Sequence, residues 1–173
     1  SVQDAIDGAK DILAEVYADD ADYRTKLRAM TKESGSLVAK AKDEEADSVY
    51  EMYYDFSEPI KKLVGHRILA INRGEAEKFL TVKIEAPRQE ILLWLVKQII
   101  GNMKHDSASY LYEAITDSYD RLIAPSIERE IRNELTEKAE EGAIGVFGKN
   151  LHQLLMQPPI SGQVVLGWDP GFA

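Results

Sequence analysis

Residues 124–156 read APSIEREIRNELTEKAEEGAIGVFGKNLHQLLM, and they predict one long helix. Pro125 suits the first turn of a helix, and apolar residues then recur at helical spacing. These residues are Ile127, Ile131, Leu135, Ala139, Ile144, Phe147, Leu151 and Leu154. Roughly thirty residues that each rise about 1.5 Å span more than the diameter of a small domain. We therefore predict a helix from residue 126 to about 156 that links two bodies.

Charged residues along this helix mix in sign at helical spacing. Glu128 precedes Arg132 by four positions, and Glu134 precedes Lys138 by four positions. Pairs at this spacing stabilise a solvent-exposed helix weakly. We predict such pairs within the helix and assign them no chemistry.

The residues before this helix predict further helices. Residues 1–18 place apolar side chains on one helical face and acidic side chains on the other. A second helix begins near Asp20 and ends at Ser34-Gly35. Residues 36–42, SLVAKAK, are extended or form a short strand, and residues 44–54, EEADSVYEMYY, are predicted to return to helix.

Residues 61–88, KKLVGHRILAINRGEAEKFLTVKIEAPR, allow two interpretations, a hairpin or a helix followed by a strand. We favour a helix to about Arg73, with Gly74 just beyond its end. Leu80, Val82 and Ile84 then alternate as in a strand, predicted from Phe79 to Glu85. A single strand is not stable alone, so residues 36–42 are its predicted partner in a minor two-stranded element.

The remaining segments are simpler. Pro87 opens a helix that is apolar nearly all round, residues 88–101, which predicts a core helix. Residues 107–124 are helical again, and residues 157–163, QPPISGQ, form a linker. The last residues, VVLGWDPGFA, read as a strand that delivers Asp169 to a turn.

Composition narrows the class of protein. The 173 residues are 45% apolar and 29% charged, as in an ordinary globular domain. The absence of cysteine excludes disulfides and thiol chemistry. The longest apolar run is too short for a bilayer, so we expect a soluble, cytoplasmic protein. The net charge of −9 opposes general attraction to nucleic acid, and the only locally basic stretch is residues 61–88.

Four separated stretches resemble the bacterial Tex family of transcription accessory proteins, and the resemblance extends in order over nearly the whole chain. They are DAIDGAKDILAE from residue 4, YYDFSEPIKKLVGHRILAINRGEAEKFL from residue 53, YDRLIAPSIEREIRNELTEKAEEGAI from residue 119, and LGWDPGF from residue 166. The most specific blocks are HRILAINRGE and RLIAPSIEREIRNELTEKAE.

The resemblance implies a mainly α fold in three parts. Residues 1–124 would be a multi-helical domain with helix-turn-helix character and the minor two-stranded β element, and residues 125–157 would be the long connecting helix. Residues 158–173 would be a linker and the first strand of a truncated YqgF or ribonuclease-H-like domain. In the family, helix-hairpin-helix modules and an OB-type RNA-binding domain follow.

The resemblance places Asp169 where ribonuclease-H-like folds hold a metal ion. Phosphodiester cleavage needs several carboxylates from different strands, and those strands are absent here. We therefore expect Asp169 to cap its own turn, and we predict no catalytic residue, no metal site, no cofactor and no enzyme. A metal-dependent nuclease remains an alternative for a longer protein that supplies further acidic strand ends.

The basic stretch provides the candidate nucleic-acid contacts. They are Lys61, Lys62, His66, Arg67 and Arg73. Lysine offers phosphate a point charge, and arginine offers a forked contact. The alternative is that Arg67 and Arg73 pair with carboxylates of this acidic chain, and that His66 is a buried or helix-start residue.

Function follows from these readings. We expect a scaffold that contacts nucleic acid weakly, within a full-length protein that binds RNA or DNA. The alternative is a protein-interaction module that docks on the transcription machinery. An aromatic run could stack on bases but is better explained as a packing edge. The run comprises Tyr50, Tyr53, Tyr54 and Phe56.

Overall fold

The computed structural model describes residues 1–101, 107–169 and 171. Within these residues the chain forms six α-helices and one three-stranded sheet. The helices are α1 (Val2–Asp19), α2 (Ala21–Ser34), α3 (Gly65–Ala76), α4 (Arg88–Ile99), α5 (Ala108–Asp117) and α6 (Ala124–Leu155). The strands are β1 (Ser36–Ala41), β2 (Asp55–Pro59) and β3 (Leu80–Glu85). The predicted mainly α class is confirmed. Across the described residues, each helix is too short or too polar to cross a lipid bilayer.

A single residue separates the first two helices. Asp20 adopts an extended backbone conformation that ends α1. Its carboxylate accepts a hydrogen bond from the amide of Tyr23 at 2.8 Å, which caps the start of α2. The predicted helices over residues 1–18 and from Asp20 to Ser34 are therefore confirmed, with Asp20 marking both boundaries.

The sheet has the strand order β2-β1-β3, and β1 is antiparallel to both neighbours. Ser36 lies opposite Glu85 and Ala41 lies opposite Leu80, which confirms the predicted pairing of β1 with β3. The prediction of only two strands is wrong, because β2 pairs along the other edge of β1.

The helix predicted over residues 44–54 is also wrong, since this segment contains only a short 3₁₀ turn. Tyr50 and Tyr53 are 5% and 7% exposed. The Tyr54 hydroxyl donates to the carbonyl of Ala46 at 2.6 Å. These contacts fix the segment as a loop that leads into β2, so strand pairing overrides the local helical pattern.

The aromatic run packs within the protein. The ring centroids of Tyr53 and Phe56 lie 5.5 Å apart, and those of Tyr50 and Phe79 lie 5.7 Å apart. Buried rings cannot offer a face to a nucleic-acid base. The interpretation as a packing edge is therefore the one that agrees with the structure.

One core joins the inner face of the sheet to the helices. Alternate residues of β3 are buried, as the period-2 pattern predicts. On α4, Ile91, Leu92 and Leu95 are buried, but Leu93 is exposed, so this helix is amphipathic rather than buried all round. Trp94 packs edge-to-face on Tyr23 with 5.7 Å between ring centroids.

Gly74 lies inside α3, which continues to Ala76, and not beyond its end as predicted. A Cβ atom on this glycine would lie 2.7 Å from Cδ1 of Leu80 and 3.1 Å from Cδ1 of Tyr50. Close packing, and not a turn, therefore explains the glycine. The left-handed residue after the helix is Lys78, with φ of 68°.

We expect Gly74→Ala to lower the free energy of unfolding by about 1–3 kcal/mol, because the added methyl group overpacks the core. Urea unfolding followed by circular dichroism measures this change. Gly8→Ala is the matched control, because nothing lies within 4 Å of a Cβ on Gly8 in α1. This control should raise stability by about 0.5–1 kcal/mol through helix propensity. Equal effects of the two substitutions would contradict the packing explanation.

Helix α6 is 32 residues long and confirms the predicted long helix. A six-residue π-helical turn, Ser118–Ile123, joins it directly to α5. The predicted apolar stripe divides in two. Ile127, Ile131, Leu135 and Ala139 pack into the body. Ile144, Phe147, Leu151 and Leu154 are exposed.

Polar contacts fasten the first half of α6 to three other elements. Glu128 accepts a hydrogen bond from the amide of Ile84 at 2.9 Å, at the open edge of β3. Arg132 pairs with Glu75 of α3, and Glu134 pairs with Lys32 of α2. The predicted pairs within α6, Glu128 with Arg132 and Glu134 with Lys138, are therefore wrong. Spacing along a helix shows which residues share a face but not what that face meets.

Glu130 carries the densest of these contacts. Arg24 pairs with it at 2.8 Å, and Arg28 donates to it through Nε at 2.8 Å and through a second guanidinium nitrogen. Partial burial acts to raise the pKa of Glu130, but the hydrogen bonds from both arginines outweigh it and lower that pKa below its usual 4.5.

We expect Glu130→Gln to lower the free energy of unfolding by about 1 kcal/mol at neutral pH. Because the folded-state pKa is depressed, the wild-type advantage is full above about pH 4.5 and is lost as pH falls through the folded pKa. Urea unfolding at neutral pH and at a pH below the folded-state pKa measures the difference in the free energy of unfolding between the wild type and the variant. Glu141→Gln, at an exposed position of the same helix, is the control and should change little. A pH-independent difference would contradict the account.

Residues 157–169 are exposed and form no regular structure. Residues 164–169, which belong to the predicted terminal strand, pair with no strand among the described residues. Asp169 accepts a hydrogen bond from the amide of Gly171 at 3.0 Å, as expected for a turn cap. Pro170 of the predicted motif lies outside the described residues. The assignment to a ribonuclease-H-like domain stays a prediction.

Candidate nucleic-acid interface

The five predicted contact residues lie on one short segment. Lys61 and Lys62 are in the 3₁₀ turn Ile60–Lys62, and the other three are in α3. Ile60 anchors the turn, because its side chain is buried and its amide donates to the carbonyl of Gly35 at 3.0 Å. Burial of the residues that follow then fixes which face of α3 meets solvent.

Helix α3 is held against α6. Ile68 and Ile71 are buried, and the side-chain amide of Asn72 donates to the hydroxyl of Thr136 at 2.8 Å. At the start of α3 the two backbones approach closely, since a Cβ on Gly65 would lie 3.3 Å from Cα of Ala139. This packing leaves the opposite face of α3 for contact with a ligand.

Two of the five candidates are ion-paired. Lys61 pairs with Glu33 of α2. Arg67 donates from one guanidinium nitrogen to both carboxylate oxygens of Glu58, at 2.7 and 2.9 Å. The ion-pair interpretation is therefore the one that the structure supports for Arg67. A phosphate would have to displace the Glu58 carboxylate to bind there.

The other three candidates are available to a ligand. Lys62, His66 and Arg73 are exposed and have no ion pair among the residues that the structure describes. His66 and Arg73 are seven positions apart, about two helical turns, and so share one face of α3. Among the described residues, Arg73 therefore shows no ion pair. His66 is not buried, but as the second residue of α3 it agrees with the interpretation as a helix-start residue.

Two further lysines were not singled out from the sequence. Lys40 of β1 and Lys83 of β3 point to the exposed outer face of the sheet, diagonal to each other in the strand register. The period-2 alternation of the strands could have placed both lysines on this face from the sequence. Asp55 and Glu85 lie on the same face. Because lysines and carboxylates alternate there, we do not include this face in the candidate interface.

Metal chemistry finds no support in the described part of the chain, where no group of three histidine, aspartate or glutamate side chains could hold a metal ion. Asp169 is exposed and its described partner is the turn that it caps. Among the five predicted contacts, the residues that remain available to nucleic acid are Lys62 of the turn and His66 and Arg73 of α3.

Comparison with known proteins shows the family of the chain. Residues 1–147 match the family model described as Tex central region-like. The chain belongs to the Tex family. It is 50% identical to an uncharacterized protein, YdcI, of Bacillus subtilis, over 98% of this chain and 24% of that protein.

Two relatives of the Tex-family chain have descriptive names. It is 34% identical to the human S1 RNA-binding domain-containing protein 1, over 99% of the chain and 19% of that protein. It is 31% identical to the transcriptional accessory protein Tex of Neisseria gonorrhoeae, over 97% of the chain and 23% of that protein. Neither name is that of an enzyme. The chain spans about a quarter of these relatives' length or less.

Proposed function

We propose that this chain is the scaffold part of a nucleic-acid-binding transcription accessory factor, and that it contacts nucleic acid weakly through Lys62, His66 and Arg73. Similarity to Tex-type proteins over nearly the whole chain supports the role in transcription. The observation that carries the weak contact is the ion pairing of Lys61 and Arg67, which leaves part of the basic stretch for phosphate.

The strength of binding follows from the number of available cations. Each phosphate neutralised on duplex DNA releases condensed counterions and contributes about −0.9 to the slope of log affinity against log salt. Lys62 and Arg73 would contribute two such contacts. The net charge of −9 opposes them at long range. Affinity should therefore be close to that of non-specific binding.

The scaffold role rests on α6. Its first half is packed against α2 and α3 and accepts a hydrogen bond from the edge of the sheet, and its second half extends from that body. A helix fixed at one end directs what is attached to its other end away from the body. The sixteen residues 140–155 would span about 24 Å.

We expect fluorescence anisotropy with labelled single-stranded RNA and duplex DNA to show weak binding that falls about tenfold between about 50 and 200 mM salt. The double variant Lys62→Ala and Arg73→Ala should lose most of this binding and flatten its salt dependence. Circular dichroism should show that the variant remains folded, because both side chains are exposed.

The matched control is the double variant Lys26→Ala and Lys97→Ala, which removes the same charge from exposed positions on α2 and α4. It should keep binding near that of the parent chain. Equal loss in both double variants would mean that net charge, and not this surface, governs binding. Tight binding with a steep salt dependence would contradict the proposal.

A further inference from the structure

A groove of about 870 Å³ lies beside the second half of α6. Helix α3 begins at Gly65, where it meets Ala139 of α6, so α6 continues past this contact without α3 beside it. The chain just before α3 forms the opposite wall, with Ile60 and Leu63 among its lining residues. The lining residues of α6 beyond Ala139 are exposed to solvent.

The floor of the groove is apolar. On α6 its lining includes residues that recur on one helical face. They are Leu135, Ala139, Ala143, Val146 and Phe147. Val146 and Phe147 are 61% and 67% exposed, which is unusual for large apolar side chains on adjacent positions of a helix. The lining of α6 runs from residue 131 to residue 150, about 28 Å along the helix axis.

The rim of the groove is basic. Its lining includes three lysines, Lys32, Lys61 and Lys138, and Glu134 is the one carboxylate among the described lining residues. Glu134 pairs with Lys32, and the partner of Lys61 lies outside the lining. Lys138 has no ion pair among the described residues. A positive rim in a chain of net charge −9 is a local feature.

We propose that this groove binds an amphipathic helix of a protein partner, with acidic residues flanking its apolar face. The apolar floor from Leu135 to Phe147 is about 18 Å long and would contact roughly twelve residues of a partner helix. Apolar residues at i, i+3, i+4 and i+7 would fill the floor. Flanking carboxylates would meet Lys138, which has no ion pair among the described residues, and would compete with Glu33 for Lys61. This function goes beyond the nucleic-acid contact proposed above and does not depend on it, although His66 belongs both to that contact and to the groove lining.

The same chemistry disfavours other occupants. A phosphate backbone has no apolar face to cover Val146 and Phe147. A second copy of the chain would bring the same lysine rim against itself, so that like charges would oppose each other. An acidic amphipathic helix satisfies both the apolar floor and the basic rim.

The test uses two fluorescein-labelled helical peptides of about eighteen residues. Both carry leucines at i, i+3, i+4 and i+7, and the flanking residues are glutamate in one and lysine in the other. Anisotropy titration of the 173-residue chain should show binding of the glutamate peptide and at least about tenfold weaker binding of the lysine peptide. Equal binding of the two peptides, or no binding of the glutamate peptide, would overturn the proposal.

Two substitutions on α6 locate the binding. Phe147→Asp should abolish binding of the glutamate peptide. Ile144→Asp is the matched control, because Ile144 is 70% exposed on the same helix but lies outside the groove lining. It should leave binding within about twofold of the parent chain. Equal loss of peptide binding in both variants would mean that the peptide binds exposed apolar residues non-specifically, and this would overturn the proposal.

Reversing the charge of two rim lysines provides a second test, in which the measured quantity is the preference between the two peptides. The double variant Lys61→Glu and Lys138→Glu changes two exposed side chains and should shift preference from the glutamate peptide to the lysine peptide. Unchanged preference would overturn the proposal. Two further results would also overturn the proposal. One is a dimer of the chain without peptide, seen in sedimentation velocity, that Phe147→Asp abolishes. The other is binding of single-stranded RNA that Phe147→Asp abolishes, because either result would identify a different occupant of the groove.

Discussion

The fold depends on the seating of the first half of α6. Ile127 and Ile131 are 2% and 1% exposed, and around them the same helix meets α2, α3 and the edge of the sheet. Glu128 satisfies the open edge of β3 through the amide of Ile84. An edge strand with unpaired amides invites wrong pairing, so this contact both completes the sheet and fixes where the helix lies.

This seating also decides where function can lie. The contacts with other elements are concentrated up to Ala139, and side chains beyond it are exposed. Many cations of the body are paired with carboxylates, among them Arg24, Arg28, Lys61 and Arg67. Pairing makes these four cations less available to nucleic acid, because a phosphate would have to displace a carboxylate to reach them. The groove lies at the transition, where α6 leaves the body.

The helices could be predicted from the sequence because apolar periodicity is a local property of the chain. The helix boundary at Asp20 and the alternation of buried residues in β3 are likewise set by residues close together in the sequence. Strand β2 could not be predicted in this way, because its formation depends on the free edge of β1, which lies about twenty residues earlier. The prediction for Gly74 was wrong for the same reason. A side chain is excluded at this position by Leu80 and Tyr50, and not by the residues next to it in the sequence.

The candidate site shows the same limit. The sequence identifies the basic stretch, but it does not show that Arg67 faces Glu58 while Arg73 has no such partner among the described residues. The groove was not predicted either. Its two walls come from segments about eighty residues apart, and only their packing at Gly65 and Ala139 creates it.

Hydrogen exchange along α6, read by mass spectrometry on the whole chain, tests the central claim most directly. Amides from Ile127 to Ala139 should exchange only through global unfolding, because this half is packed into the core. Amides from Ile144 to Leu155 should exchange much faster, since an unpacked helical segment is marginally stable. A sharp fall in protection after Ala139 is the predicted result. Uniform protection along the whole helix would contradict the account.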